Sequence, residues 1–136
     1  CEFPKSIVYY ETMKDNSDFD KYDKNGIYLE KCGLENLNIS FGHDEYLYQV
    51  LKQNEGKHKI SKKYLDVIRY HSFYPWHTSG EYKQFMRDGD QVILKNVNYF
   101  NNFDLYSKED SPDISDEIKE YYSQLLDEYF PEILQW

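Results

Sequence analysis

Arg69-Tyr70-His71-Ser72-Phe73-Tyr74-Pro75-Trp76-His77-Thr78 sets two histidines among four aromatic rings, with a hydroxyl residue directly after each histidine. The stretch closes a segment with helical periodicity. Tyr64, Val67, Ile68 and His71 fall at i, i+3, i+4 and i+7, which is one face of a helix. His71 is therefore expected on the inward, apolar side, beside Ser72. Pro75 lacks an N–H and restricts the residue before it, so it is expected to end that helix. Two readings of His71 stay open on this stretch alone. The commoner one is a core histidine satisfied by a backbone carbonyl. The other is a metal-ligand position with a substrate contact next to it.

Upstream of this stretch, Ser61 is placed to cap the helix that carries it. Asn54 to Lys59 is polar and reads as a loop, with His58 exposed to solvent. Before that loop a helix is expected from His43 to about Gln53. Asp44 and Glu45 in its first turn complement the helix dipole, and Val50 and Leu51 supply apolar positions. Gly42 breaks any shorter helical turn in Gly33 to Phe41, where Leu34, Leu37 and Ile39 are the apolar residues. Downstream, a short helix is expected around Glu81 to Met86 and a longer one from about Gln91 to Lys108. Ile93, Val97, Phe100 and Asp104 share one face of the latter, so Asp104 is expected to point inward. The last helix is expected from about Asp116 to Tyr129, with Ile118, Tyr121, Tyr122, Leu125 and Leu126 as its stripe, before Pro131 ends or kinks it. The class is all-α or nearly so.

Residues 1–31 are irregular by comparison. Ser6 to Tyr10 is β-prone enough for one short strand. Lys14 to Lys24 is rich in Asp, Asn and Lys and reads as a surface connection, closed by the turn signal Asn25-Gly26. A chain of 136 residues suits a single domain, with 1–31 as an irregular lead-in and 32–136 helical. It opens on Cys1 rather than methionine, which suggests a fragment, a processed product or an omitted first part.

The composition narrows the partners. Hydrophobic residues make up 40% of the chain, enough for a core, and 15 tyrosines bring hydroxyls that need partners inside it. The net charge is −9, so phosphate-rich partners are repelled, and neither nucleic acid nor an anionic membrane is expected to bind. No apolar run approaches the roughly 20 residues of a membrane span, and the first residues lack the basic-then-apolar pattern of a secretory signal. Two cysteines, Cys1 and Cys32, make no disulfide framework, so a reducing, cytoplasmic setting is expected. A small neutral ligand remains compatible with all of this.

Three groups then stand out on expected inward helical faces: His43, His71 and Asp104. Two imidazoles and a carboxylate suit a non-heme iron, manganese or zinc site. The spacing matches no short metal motif, and each residue also has an ordinary structural reading. His43 can be a helix-start residue, and Asp104 can pair with a buried cation.

Longer blocks are more specific. Ser40-Phe41-Gly42-His43-Asp44-Glu45-Tyr46-Leu47-Tyr48-Gln49-Val50 resembles a signature segment of the myo-inositol oxygenases. Ile68 to His77, Asn102 to Lys108 and the ending Pro131-Glu132-Ile133-Leu134-Gln135-Trp136 resemble three further segments of that family, at agreeing spacing. The resemblance runs from about Cys32 to the end and is looser before it. It implies the C-terminal half of an all-α helical bundle related to the HD-domain metal phosphohydrolases. It also implies two non-heme irons and the O2-dependent conversion of myo-inositol to D-glucuronate, by a protein that is monomeric when intact. By resemblance, His43 and His71 would ligate one iron and Asp104 the other, Ser72 would contact inositol, and Lys108 would lie near the substrate. Asp44 is not the family's bridging aspartate, which belongs to an upstream His-Asp pair. That pair and a further upstream histidine have no counterpart in these residues, so the chain alone is expected to be inactive. The alternatives are an HD-type metal phosphohydrolase, or a truncated, non-catalytic helical interaction module.

Overall fold

Asn54 and Asn102 turn their side chains back to the backbone at the ends of two helices, and these ends decide where neighbouring residues point. The computed structural model describes residues 10–17, 19, 21, 25–104 and 114–136. Among them the regular structure is entirely helical: α1 (His43–Gln53), α2 (Lys62–Tyr70), α3 (Tyr74–His77), α4 (Asp90–Asn101) and α5 (Asp116–Tyr129), with 3-10 turns at Tyr10–Asp15, Leu34–Asn36 and Lys83–Phe85. The all-α class is as expected. Of the β-prone run, residues 6–9 lie outside the described residues, and Tyr10 opens a 3-10 turn rather than ending a strand.

The first turn of α1 carries Asp44, whose Oδ1 accepts from the Glu45 N–H at 2.8 Å. The helix ends at Asn54, which is fully buried. Asn54 Nδ2 donates to the Val50 carbonyl and to the Gln135 carbonyl, both at 2.8 Å, and Oδ1 accepts from the Gln135 N–H at 3.0 Å. One side chain thus closes α1 and ties the last residues of the chain to it. The following loop contradicts one expectation. His58 is half-buried, not solvent-exposed: Nε2 donates to the Leu51 carbonyl at 2.9 Å and Nδ1 accepts from the Ile60 N–H at 3.1 Å. The loop folds around a neutral imidazole that replaces missing backbone partners.

α2 follows with Ser61 at its N-cap, although the Ser61 side chain makes no capping bond there. Its buried residues are Val67 and Tyr70, whereas Tyr64 is exposed. The inward face is therefore turned by part of a helical step from the expected one. Burial pushes the Tyr70 phenol well above its ordinary pKa, against the pull of Arg69, so it stays protonated in the core. Pro75 does not stop α2. The helix has already ended at Tyr70, with His71 as its C-cap, and Pro75 lies in the first turn of α3, where a missing N–H costs nothing.

α4 ends earlier than the periodicity suggested. Asn102 Nδ2 donates to the carbonyls of Asn98 and Tyr99, at 3.1 Å each, and so terminates the helix at Asn101. The expected continuation to Lys108 fails for residues 102–104, and 105–113 lie outside the described residues. At the other end, Asp90 is buried and Oδ2 accepts from the N–H groups of Leu34 and Arg87, which binds the Leu34–Asn36 turn to the start of α4. Gly33, at φ +93, lets this turn pass under Arg87: a Cβ there would lie 2.5 Å from the guanidinium Nε.

The core is Leu34, Leu37, Val67, Tyr70, Trp76, Phe85, Met86 and Val97, with α2 packed between α1 and α4 and α3 against α4. The stripe of α5 is not part of it. Ile118, Tyr121, Tyr122 and Leu126 are exposed, and Leu125 alone of that stripe is half-buried. Periodicity gave this face correctly as apolar, yet no other described element covers it.

Candidate metal and polyol site

The first residue of α1 and the cap residue of α2 meet at one end of the helix pair. His43 Nε2 and His71 Nε2 are 3.1 Å apart, with ring centroids 5.1 Å apart and planes at 69°. The edge of Phe100, on α4, closes the far side of His71 at 5.9 Å. His71 Nδ1 lies 2.8 Å from the Ile68 carbonyl. A carbonyl only accepts, so Nδ1 carries the proton, and the Nε2 of a neutral His71 presents its lone pair. One ring nitrogen of His71 is thus satisfied by backbone, and the other faces His43.

His77, the second histidine of the motif, has a different task. It is buried, its Nε2 donates to the His71 carbonyl at 2.8 Å, and its Nδ1 accepts from Thr78 Oγ1 at 3.1 Å. It pins the backbone of His71 from behind. Ser72 Oγ lies 3.4 Å from His43 Nε2. His43, Ser72 and Asp44 line a cleft of about 560 Å³, together with Asn38 and Ser40 and the rings of Tyr28, Phe73 and Tyr82. Tyr82 holds a left-handed backbone (φ 61°), rare for a bulky residue, and its ring lies 5.1 Å from that of Phe73 in the cleft wall. The lining mixes polar groups with aromatic faces, which suits a small neutral polar molecule.

Two of the three expected metal ligands thus meet and the third does not join them. Asp104 is exposed and lies past the end of α4, because Asn102 has already ended the helix that was to hold it inward. Lys108 lies outside the described residues. No cluster of three or more His, Cys, Asp or Glu side chains suited to a metal occurs among the described residues. The donor pair still fits a metal. Two imidazole nitrogens bound at about 2.1 Å to one ion stand roughly 3.0–3.4 Å apart for bond angles between octahedral and tetrahedral. The Nδ1–H of His71 is the outer hydrogen bond that such a ligand makes. Without an ion, the same spacing accommodates His43 Nε2–H donating to His71 Nε2.

Sequence reasoning missed Glu45 and Arg69. Arg69 Nε donates to Glu45 Oε2 at 2.7 Å across α1 and α2, and both side chains are nearly buried. They lie 24 residues apart, beyond any local pattern.

Comparisons with known proteins agree over the whole chain. The myo-inositol oxygenase family matches residues 1–136. Inositol oxygenase 4 of Arabidopsis thaliana is 44% identical over 139 residues, which is 100% of this chain and 43% of that protein. Inositol oxygenase of Dictyostelium discoideum is 43% identical, covering 100% of this chain and 47% of that protein, and the Danio rerio enzyme is 45% identical, covering 100% and 50%. The chain spans about half the length of the curated relatives it matches.

Proposed function

Because this chain belongs to the myo-inositol oxygenase family, we propose that it supplies two iron ligands, His43 and His71, and the polyol-facing wall of an oxygenase that converts myo-inositol and O2 to D-glucuronate. The observation that carries this reading is the 3.1 Å approach of His43 Nε2 to His71 Nε2 at the mouth of a cleft containing Ser72. Inositol is neutral, and its C–H bonds are unactivated. Bound iron would supply the redox chemistry with O2 that such bonds require.

The remaining work falls to this chain's side chains. His43 Nε2 and His71 Nε2 stand at a spacing that one ion could share, and the Ile68 carbonyl fixes the His71 tautomer. Ser72 Oγ, donor and acceptor at once, matches a ring hydroxyl. Phe73 and Tyr82 wall the cleft against water. The match to the inositol oxygenase family over the whole chain favours this reading over a phosphohydrolase. Asp104 and Lys108 enter the proposal only through their family-like segment, as ligand to a second iron and as a substrate contact. A cytoplasmic, reducing compartment suits the free thiol of Cys32 and belongs to the same proposal. No helix among the described residues is long and apolar enough to cross a membrane.

The test is inositol-dependent oxygen uptake by the intact protein after anaerobic loading with ferrous iron. Uptake with stoichiometric D-glucuronate is the expected result, and iron-loaded protein that consumes no O2 with inositol would sink the proposal. Residues 1–136 by themselves should show no turnover, since only two ligands converge there. In the intact protein, Ser72→Ala should leave iron content unchanged. It should lower kcat/KM for inositol about three- to tenfold, the worth of one hydrogen bond between neutral groups. Loss of iron in that variant would contradict a substrate role for Ser72.

A further inference from the structure

We propose that the buried Glu45–Arg69 pair is the positioning device of the site, setting the register of α1 against α2 at which the Nε2 atoms of His43 and His71 meet. Glu45 is two residues from His43, and Arg69 is two residues from His71. At 1.5 Å of rise per residue the clamp therefore lies within about 3 Å, along each helix axis, of the imidazole it would steady. It sits on the seam between the two helices. Arg69 Nε reaches Glu45 Oε2 at 2.7 Å, and a second guanidinium nitrogen approaches Glu45 Oε1 at 3.4 Å. Glu45 Oε1 also accepts from Gln49 Nε2 at 2.6 Å. The guanidinium is further held over the Tyr48 ring, 4.6 Å from its centroid, and donates to the Tyr70 hydroxyl at 3.2 Å.

The guanidinium is thus held at once by a carboxylate, a ring face and a hydroxyl. Taking two charges out of water offsets most of what their attraction returns, so a buried ion pair adds little net stability. What it does supply is geometry. A guanidinium fork meets a carboxylate in few orientations, and a slide of one residue between the helices would break the contact. Burial works against the Arg69 charge. The bond to Glu45, with the attraction of Tyr70, Glu45 and Tyr48, outweighs it and keeps the guanidinium above its ordinary pKa. The contact between the rings is a claim about this fold; its value for metal binding rests on the function proposed above.

The experiment uses the whole chain, isotope-labelled, with Co2+ as the metal probe. Metal-free nuclear magnetic resonance should show contacts between the two imidazole rings and His71 as the Nδ1–H tautomer. Arg69→Lys keeps the charge and loses the fork, and Glu45→Gln keeps the shape and loses the charge. With helical content retained, both should lose the ring-to-ring contacts and bind Co2+ at least about tenfold more weakly. Lys62→Ala removes an exposed pair with Asp66 on the same helix and should change neither readout. A folded Arg69→Lys or Glu45→Gln chain that keeps the ring contacts and the original Co2+ affinity overturns the proposal. Should both unfold, Gln49→Ala, which removes only the brace on Glu45, is judged by the same two readouts. A wild-type chain with ring contacts but no Co2+ uptake overturns the metal reading and leaves the positioning claim standing.

Discussion

On the proposed function, His71→Ala in the intact protein should abolish inositol-dependent oxygen uptake and remove metal from this position, while the fold survives. The imidazole gives one nitrogen to the Ile68 carbonyl and holds the other 3.1 Å from His43 Nε2. Alanine deletes that lone pair, and among the described residues no group of three or more possible ligands is gathered to replace it. Loss of a partner that only orients a ligand already costs about 10- to 100-fold in metal affinity, and loss of the ligand itself costs more. The structural penalty is modest. His71 is half-buried at a helix cap, and its contacts with the Ile68 carbonyl and, without an ion, with His43 Nε2 are lost, worth about 1 kcal/mol each. Metal analysis, oxygen uptake and thermal unfolding, measured on the same preparation, check this. A His71→Ala protein with full iron content refutes the assignment of His71 as a ligand. His43→Ala should behave alike, since its ring is the other half of the pair.

Trp76→Ala has the opposite profile, a large loss of stability from a residue that does not itself line the cleft. Trp76 is fully buried. Its indole N–H donates to Met86 Sδ at 3.2 Å, and its ring lies 5.9 Å from Tyr70 and 6.1 Å from Phe73. Truncating a buried tryptophan costs about 3–5 kcal/mol from lost transfer energy and the cavity left behind. A domain of this size has roughly 5–15 kcal/mol in total, so the variant would be marginally folded. Trp76→Phe keeps most of the volume and should cost markedly less. Urea denaturation with a shared slope measures both. A Trp76→Ala loss under about 1 kcal/mol would mean that Trp76 is not the packing centre joining α2, α3 and the Lys83–Phe85 turn. The two variants separate site from scaffold, because Trp76 touches His77, the residue that holds the backbone of His71, and not His71 itself.

Local chemistry was readable where it acts over a few residues. The start of α1 follows from Gly42, Asp44 and Glu45, and the bounds of α5, Asp116–Tyr129, are those its periodic stripe suggested. The all-α class follows from periodicity, and the oxygenase family from blocks such as Ser40 to Val50. Two of the readings that failed share a cause: a side chain answered to a backbone group that periodicity does not register. Asn102 turns its amide back onto Asn98 and Tyr99, and so Asp104 leaves the helix that should have carried it inward. His58 reaches back to Leu51 and becomes part of the loop's interior. Pro75 looked like a terminator because a proline after a helical run usually is one; here it opens the next turn.

The sequence by itself determined that the described segments coil, that the stripe of α5 is apolar, and that His43 opens a helix. It could do so because capping, propensity and 3.6-residue periodicity act within a turn or two of chain. Only the tertiary structure decided that these two imidazoles meet, that Glu45 and Arg69 lock together beside them, and that the stripe of α5 lies open. Those outcomes depend on how α1 and α2 slide and rotate against each other. That choice is made by packing around Val67, Tyr70 and Trp76 and by contacts between residues 24 and 28 positions apart, none of which leaves a periodic trace in the chain.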